Sequence, residues 1–389
     1  MSLRLSETVL QALVPDLVAL RRELHRYPEL SGGEVETAER LVAFMAPFAP
    51  AGQILALGGH GLALWWDGAA SGPTLMLRAD MDALPIPEVG SMLPHASLRA
   101  GAAHKCGHDG HMAMLAGMAP LLARRPPQRG RVVLFFQPAE ETGAGAAAAL
   151  ADARWEQIAP DYVFALHNLP GYALGRLVLA PGSFASASTG VVMALHGATS
   201  HAATPALGRS PARALASLML ALEALPAALA PEGVSCQLTL IHARLGEVAF
   251  GTTPGQAVLM ATLRAGDDAA LARLLGAVRA QAEAHCAEAG LGLTFSTREA
   301  FPAVVTAPEA YAVLQRVVAD GSFAWEALGR PMAWSEDFGH LTQRYRGALV
   351  GLGAGEGQAP LHDEGYDFPD DLLGIGLRFH DAVVGAVNG

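Results

Sequence analysis

Apolar residues recur at helical spacing from the start of the chain. Val9, Leu10, Leu13, Leu17, Leu20 and Leu24, with charge between them, predict a helix over residues 7–27. Glu34 and Glu36 open a second helix, whose apolar positions include Leu41, Val42 and Phe44. The pattern then shifts to short continuous apolar runs at 62–66, 74–78, 131–137 and 162–167, which read as buried strands. Helical stretches at about 111–123 and 144–150 lie between them. Strands alternating with helices predict a mostly parallel sheet covered by helices.

Beyond Ser186 the order becomes strand 190–196, helix 211–225, strands 234–242 and 257–263, helix 268–288 and strand 292–298. That βαββαβ order belongs to a ferredoxin-like domain. The α/β pattern then returns with a helix at 307–320, a strand at 348–352 and a last helix from Asp370. The expected fold is therefore α/β with two domains. Residues 1–185 and 298–389 form one, and residues 186–297 are inserted into it as the other.

Composition narrows the function. With 389 residues, 51% of them hydrophobic, the chain can build two cores. A formal charge of −11 argues against a nucleic-acid binder, which needs a basic face. Three cysteines, Cys106, Cys236 and Cys286, are too few for a disulfide scaffold and point to a reducing compartment. Glu7, Asp16, Arg21 and Arg22 interrupt any secretory leader pattern. The long uncharged stretch between Arg176 and Arg209 is broken by Pro181, Gly182 and several polar residues. The expectation is a cytoplasmic enzyme with no membrane span.

Residues capable of chemistry fall at the C-terminal ends of the predicted strands, where open α/β sheets place their ligand crevice. Arg78 leads into Asp80 and Asp82, Gln137 into Glu140 and Glu141, and an apolar run into His167. Cys106-Gly107-His108 offers a thiolate and an imidazole two residues apart, a donor pair suited to zinc and similar ions. Paired Cys-x-x-Cys clusters of a structural zinc finger are absent, so scattered ligands suggest a catalytic site with an open position. Taken alone, Glu140-Glu141 reads as a solvated helix start. After an apolar strand and the turn Gln137-Pro138-Ala139, it reads as a ligand beside a base. His167 and His362, each alone, are equally hydrogen-bonded core histidines; convergence on one site would decide.

With these segments in view, the chain resembles the M20 metallopeptidase family, and within it the N-acyl amino acid amidohydrolases that include hippurate and auxin-conjugate hydrolases. The resemblance runs almost end to end, through His25–Leu30, Arg78–Pro85, Cys106–His111 and Phe136–Glu141. His167–Pro170, Ser200–Ala203, Ser335–Phe338 and Leu361-His362 complete it. It implies a catalytic domain with an inserted lid that also forms a homodimer. It implies two divalent ions (zinc, manganese, cobalt or nickel), with Cys106 bridging them. His108 and His167 would complete one site, Glu141 and His362 the other. Glu140 would be the general base, Asp82 would orient ligands, and His201 would stabilise the oxyanion. The implied substrate is a small N-acyl amino acid or small peptide. Competing readings are a dipeptidase or aminopeptidase with the same metals, and a silent binding protein.

Some positions depart from the family pattern. Gly251 stands where an asparagine is expected, Ala261 where a glycine is usual, and Ser210 where aspartate is common. These bear on specificity and leave the metal ligands untouched. His25 and His111 read as braces, and His104 as a neighbour of the metal loop. Glu336 and Asp337 read either as support from behind the site or as a solvated loop.

Overall fold

The apolar runs become the middle of an eight-stranded sheet. The structure, a computed structural model, describes residues 5–88, 92–229, 236–319 and 321–389. Across the sheet the strands are Gly52–Leu57, Gly61–Asp67, Arg129–Gln137, Ala70–Asp80, Tyr162–Pro170, Arg346–Gly355, Leu177–Leu179 and Trp325–Ala327. From Arg129–Gln137 to Arg346–Gly355 they run parallel. Gly61–Asp67 and Leu177–Leu179 join that block antiparallel. The parallel strands are buried along most of their length, as expected of strands covered on both faces.

Helices Glu7–Arg26, His108–Ala116 and Leu372–Asn388 supply much of the cover, burying Leu17, Leu24, Met112, Leu115, Leu373 and Leu377 in one core with the sheet. The first begins at Ser6, whose hydroxyl accepts the Val9 N–H. The helix expected over 111–123 starts earlier, at His108, and breaks at Gly117 into His108–Ala116 and Met118–Arg124. A Cβ at Gly117 would meet Leu17 Cδ1 at 2.9 Å, so the glycine permits a close approach of the first helix. The last residue of the helix expected over 307–320, Asp320, lies outside the described residues, and the observed helix is Pro308–Val318.

The chain divides into two units. One comprises Met1–Phe184, Val304–Arg330 and Glu336–Gly389; the other comprises Ala185–Ala303 and Pro331–Ser335. The second unit carries a four-stranded antiparallel sheet in the order Cys236–Leu245, Gln256–Ala265, Ala187–His196, Gly292–Phe301. With helices Ala212–Leu229 and Asp268–Glu288 this is the βαββαβ arrangement. Burial alternates along Gln256–Ala265, with Leu259, Ala261 and Leu263 facing Leu218, Leu222, Leu274 and Val278 in a separate core. Helix Ala212–Leu229 is, among the described residues, the one helix long and apolar enough to cross a membrane; here its Leu215, Leu218, Leu222 and Leu225 are buried in that core.

The bounds of the second unit differ from the expected 186–297. The last strand continues to Phe301 past a register shift at Glu299, and Pro331–Ser335 docks back onto this unit. There the Ser186 N–H donates to the Met332 and Trp334 carbonyls, and Arg264 Nη1 donates to Ser335 Oγ. Val234 and Ser235, the first residues of the strand expected at 234–242, lie outside the described residues.

Candidate metal centre

Gly107 sets up the centre. It holds φ +93 just before helix His108–Ala116, and a Cβ there would lie 2.6 Å from Asn168 Oδ1. Glycine thus lets the Cys106 loop press against the end of strand Tyr162–Pro170. Cys106 Sγ then lies 3.7 Å from His167 Nε2. Among the described residues five sets of potential ligand atoms each lie within 4.8 Å mutually. Two of them share Cys106: Cys106, His108 and His167, and Cys106, Glu141 and His362. The others are Asp80, His108 and His111, then His108, Glu140 and Glu141, then Glu140, Glu336 and Asp337. His362 Nε2 is 3.6 Å from Glu141 Oε1, and His108 Nε2 is 3.8 Å from the same oxygen.

The ring orientations suit ligation. His108 Nδ1 donates to the Asp82 carbonyl at 2.9 Å, which leaves Nε2 to face the cluster. His167 Nδ1 likewise donates to the Asn168 carbonyl at 2.9 Å. His108 Nε2 and Glu141 Oε1 are buried without a hydrogen-bond partner, a costly arrangement that a cation would relieve. Thiolate, imidazole and carboxylate together fit a borderline transition ion. The residues present therefore fit a metal pair.

Electrostatics point the same way. Burial, reinforced by the Glu141 carboxylate, pushes the Cys106 thiol far above its ordinary range. Burial also raises Glu141, with Asp82 and Asp80 adding to it, to about 7 despite the opposing His108. Glu140 is raised well above an ordinary carboxyl by burial and by Glu336, Glu141 and Asp337. Burial and the neighbouring His111 lower His167 to about 3. A cation at the centre would favour the ligating forms, thiolate and carboxylate.

Asp82 stands among the expected ligands. Its Oδ2 accepts the Glu141 N–H at 2.9 Å and the Ser31 hydroxyl at 2.6 Å, and its Oδ1 lies 3.4 Å from His108 Nδ1. Glu140 Oε1 accepts the Asp337 N–H at 3.4 Å, and its Oε2 is 4.0 Å from His108 Nε2. Glu336 and Asp337 are buried rather than solvated. Both pair with Arg78, which also binds Asp80 and the Gln137 side chain. His201 belongs to the second unit, exposed on the short strand Ser200–His201 that pairs with Thr252–Thr253. Gly251, next to that strand, accepts the Ala202 N–H at 3.0 Å, and a Cβ on it would meet nothing within 4 Å.

The histidines read as braces or neighbours, together with residues that sequence reasoning passed over, complete the surroundings. His111 is fixed between Asp80 Oδ1 at 2.6 Å and Asn168 Oδ1 at 2.5 Å. Behind the start of helix His108–Ala116, Asp109 Oδ2 is shared by Arg21 Nε at 2.9 Å and His25 Nδ1 at 2.8 Å. Burial acts to lower His25, but its bonds to Asp109 and Glu88 push it up to about 9. His104 is buried with neither ring nitrogen hydrogen-bonded. Lys105 is buried against Glu88. Arg78, the last residue of a predicted strand that leads into acids, was the readable signal; Lys105 and Glu88 gave none.

Residues 76–385 match peptidase family M20/M25/M40. The chain is 30% identical over 380 residues to IAA-amino acid hydrolase ILR1-like 2 of Arabidopsis thaliana, covering 94% of this chain and 83% of that one. It is 39% identical over 215 residues to the N-acetyl-L-cysteine deacetylase of Bacillus subtilis, 55% of this chain and 51% of that one. A Bacillus subtilis crystal structure, a dinuclear metal binding peptidase from the M20 family, superposes with a TM-score of 0.83 at 24% identity. The alignment covers 97% of this chain and 99% of that one, so the two share a fold.

Proposed function

Because the chain belongs to peptidase family M20/M25/M40, we propose that it is a metal-dependent amidohydrolase cleaving N-acyl amino acids. The observation that carries this reading is the place of Cys106 Sγ in both ligand sets. Cys106, His108 and His167 would hold one divalent ion, and Cys106, Glu141 and His362 the other. Each ion would be zinc, manganese, cobalt or nickel: thiolate and imidazole favour the softer of these, and the carboxylate suits manganese. When bound, the ions supply Lewis-acid charge that polarises a carbonyl and lowers the proton affinity of water. The printed activities of the Arabidopsis and Bacillus relatives, an amino acid conjugate hydrolase and an N-acetyl deacetylase, support the substrate class.

In this proposal Glu140 is the general base. Burial and the surrounding carboxylates raise its proton affinity, and its Oε2 lies 4.0 Å from His108 Nε2, one of the proposed ligand atoms. It takes a proton from water as the oxygen bonds the amide carbon, then gives that proton to the amine as the carbon–nitrogen bond breaks. The products are a carboxylic acid and a free amino acid. Asp82 keeps His108 and the Glu141 backbone in place through the contacts described above. His201, by resemblance of its motif, is assigned to the oxyanion.

The test is a panel of N-acetyl and N-benzoyl amino acids and free dipeptides, offered to metal-stripped protein before and after metal is restored. Turnover of the N-acyl compounds is expected with metal and not without. Hydrolysis of dipeptides alone would favour the peptidase reading instead. The proposal includes a homodimer through the second unit. The edge strand Cys236–Leu245, with Ile241 59% exposed, offers an unpaired backbone and apolar side chains for a second copy. A monomer in sedimentation at micromolar concentration would remove that part.

A further inference from the structure

His362 is the least enclosed of the proposed ligands, its side chain 50% exposed on a turn whose residues 362–365 all face solvent. Its backbone holds φ +66, a left-handed conformation that an L-residue adopts under strain. An exposed, strained turn keeps a ligand in place when something outside the turn ties it down. Lys105 does so at both ends. Its carbonyl accepts the His362 N–H at 2.8 Å, and its Nζ donates to the Tyr366 carbonyl at 2.9 Å.

Any residue could offer the carbonyl; the ammonium group is what a lysine adds. Lys105 is 1% exposed, and burying such a charge requires a partner. Glu88, 2% exposed, is that partner, itself fixed by the Ser97 N–H at 2.6 Å and by His25. Lys105 immediately precedes Cys106. One residue thus links the shared thiol to the turn that carries His362, across more than 250 positions of sequence.

We propose that Lys105 is a positioning residue that fixes His362 relative to Cys106 and thereby sets the affinity of the ion held by Cys106, Glu141 and His362. The inference rests on the ligand assignment made above. It predicts a selective effect: the ion held by His108 and His167 does not depend on the turn.

The test uses the metal-stripped full chain titrated with Mn²⁺, followed by calorimetry and by electron paramagnetic resonance of the bound ions. Wild type is expected to bind two ions and His362→Ala one. The double variant Lys105→Met/Glu88→Gln removes the ammonium without stranding its acid. It is expected to bind the first ion as wild type does and the second at least about 10-fold more weakly. Lys105→Gln, uncharged and one bond shorter than the lysine that reaches the Tyr366 carbonyl, is the second variant should the double one not fold, and the same split is expected. Two ions bound at wild-type affinity would overturn the proposal, as would equal weakening of both ions. Should wild type fail to bind two ions, or His362→Ala retain both, the ligand assignment itself fails and the proposal with it.

Discussion

Glu140→Gln is expected to retain two ions per chain while turnover of an N-acyl amino acid falls by about 10²–10⁴-fold, the range for loss of a general base. The amide is nearly the size of the carboxyl group and can still accept the Asp337 N–H that now reaches Glu140 Oε1. It cannot take up a proton from water. Burial and the Glu336, Glu141 and Asp337 carboxylates already favour the neutral form of Glu140, so a neutral amide of the same shape is tolerated. Melting temperature should therefore hold steady. Kinetics, metal analysis and a thermal melt on one preparation check all three expectations. Turnover near that of wild type would sink the assignment.

Cys106→Ala is expected to be as damaging by a different route. Glu140 is left intact, but both ligand sets lose their common atom. Metal affinity should fall by more than about 100-fold, beyond the effect of losing an orienting contact, and turnover should drop with it. Restoring metal at ordinary concentrations should not recover activity. Cys106→Asp, which supplies a carboxylate at the shared position, should bind metal better than the alanine variant. Equal occupancy in wild type and Cys106→Ala, by metal analysis after dialysis, would show that the thiol is not a ligand. The protein should be kept reduced, since oxidation of the thiol would mimic the variant.

These two residues could be found in the sequence for a physical reason. Each lies where a recognisable local pattern ends: Glu140 follows a strand whose apolar run is unbroken, and Cys106 is followed by a glycine that only a tight turn explains. The central strands were legible because burial on both faces leaves continuous apolar runs. Gly52–Leu57, Leu177–Leu179 and Trp325–Ala327 were not: the first and last are the sheet's two edges, and Leu177–Leu179 and Trp325–Ala327 are three-residue pieces paired with strands distant in sequence. The same holds for polar partners. Arg78 meets Glu336 258 positions away, and Lys105 meets Tyr366 261 positions away. Periodicity carries no information about such pairs. Glu336 and Asp337 could be read equally as a solvated loop until the fold brought Arg78 to them.

The interrupted course of the first unit has a consequence for how the protein comes into being during synthesis. Strand Arg346–Gly355 lies between Tyr162–Pro170 and Leu177–Leu179, so the large sheet stays open until residues beyond 346 have been made. The second unit, almost all of it within Ala185–Ala303, has its strands and helices available well before then. At about 5–20 residues per second, the earlier strands wait several seconds or more for the strand that completes them. During that interval the edge of Tyr162–Pro170 is unpaired, and the nascent chain carries the aggregation risk of an exposed apolar strand. His362 is translated later still, which makes the second ligand set one of the last features the growing chain can assemble.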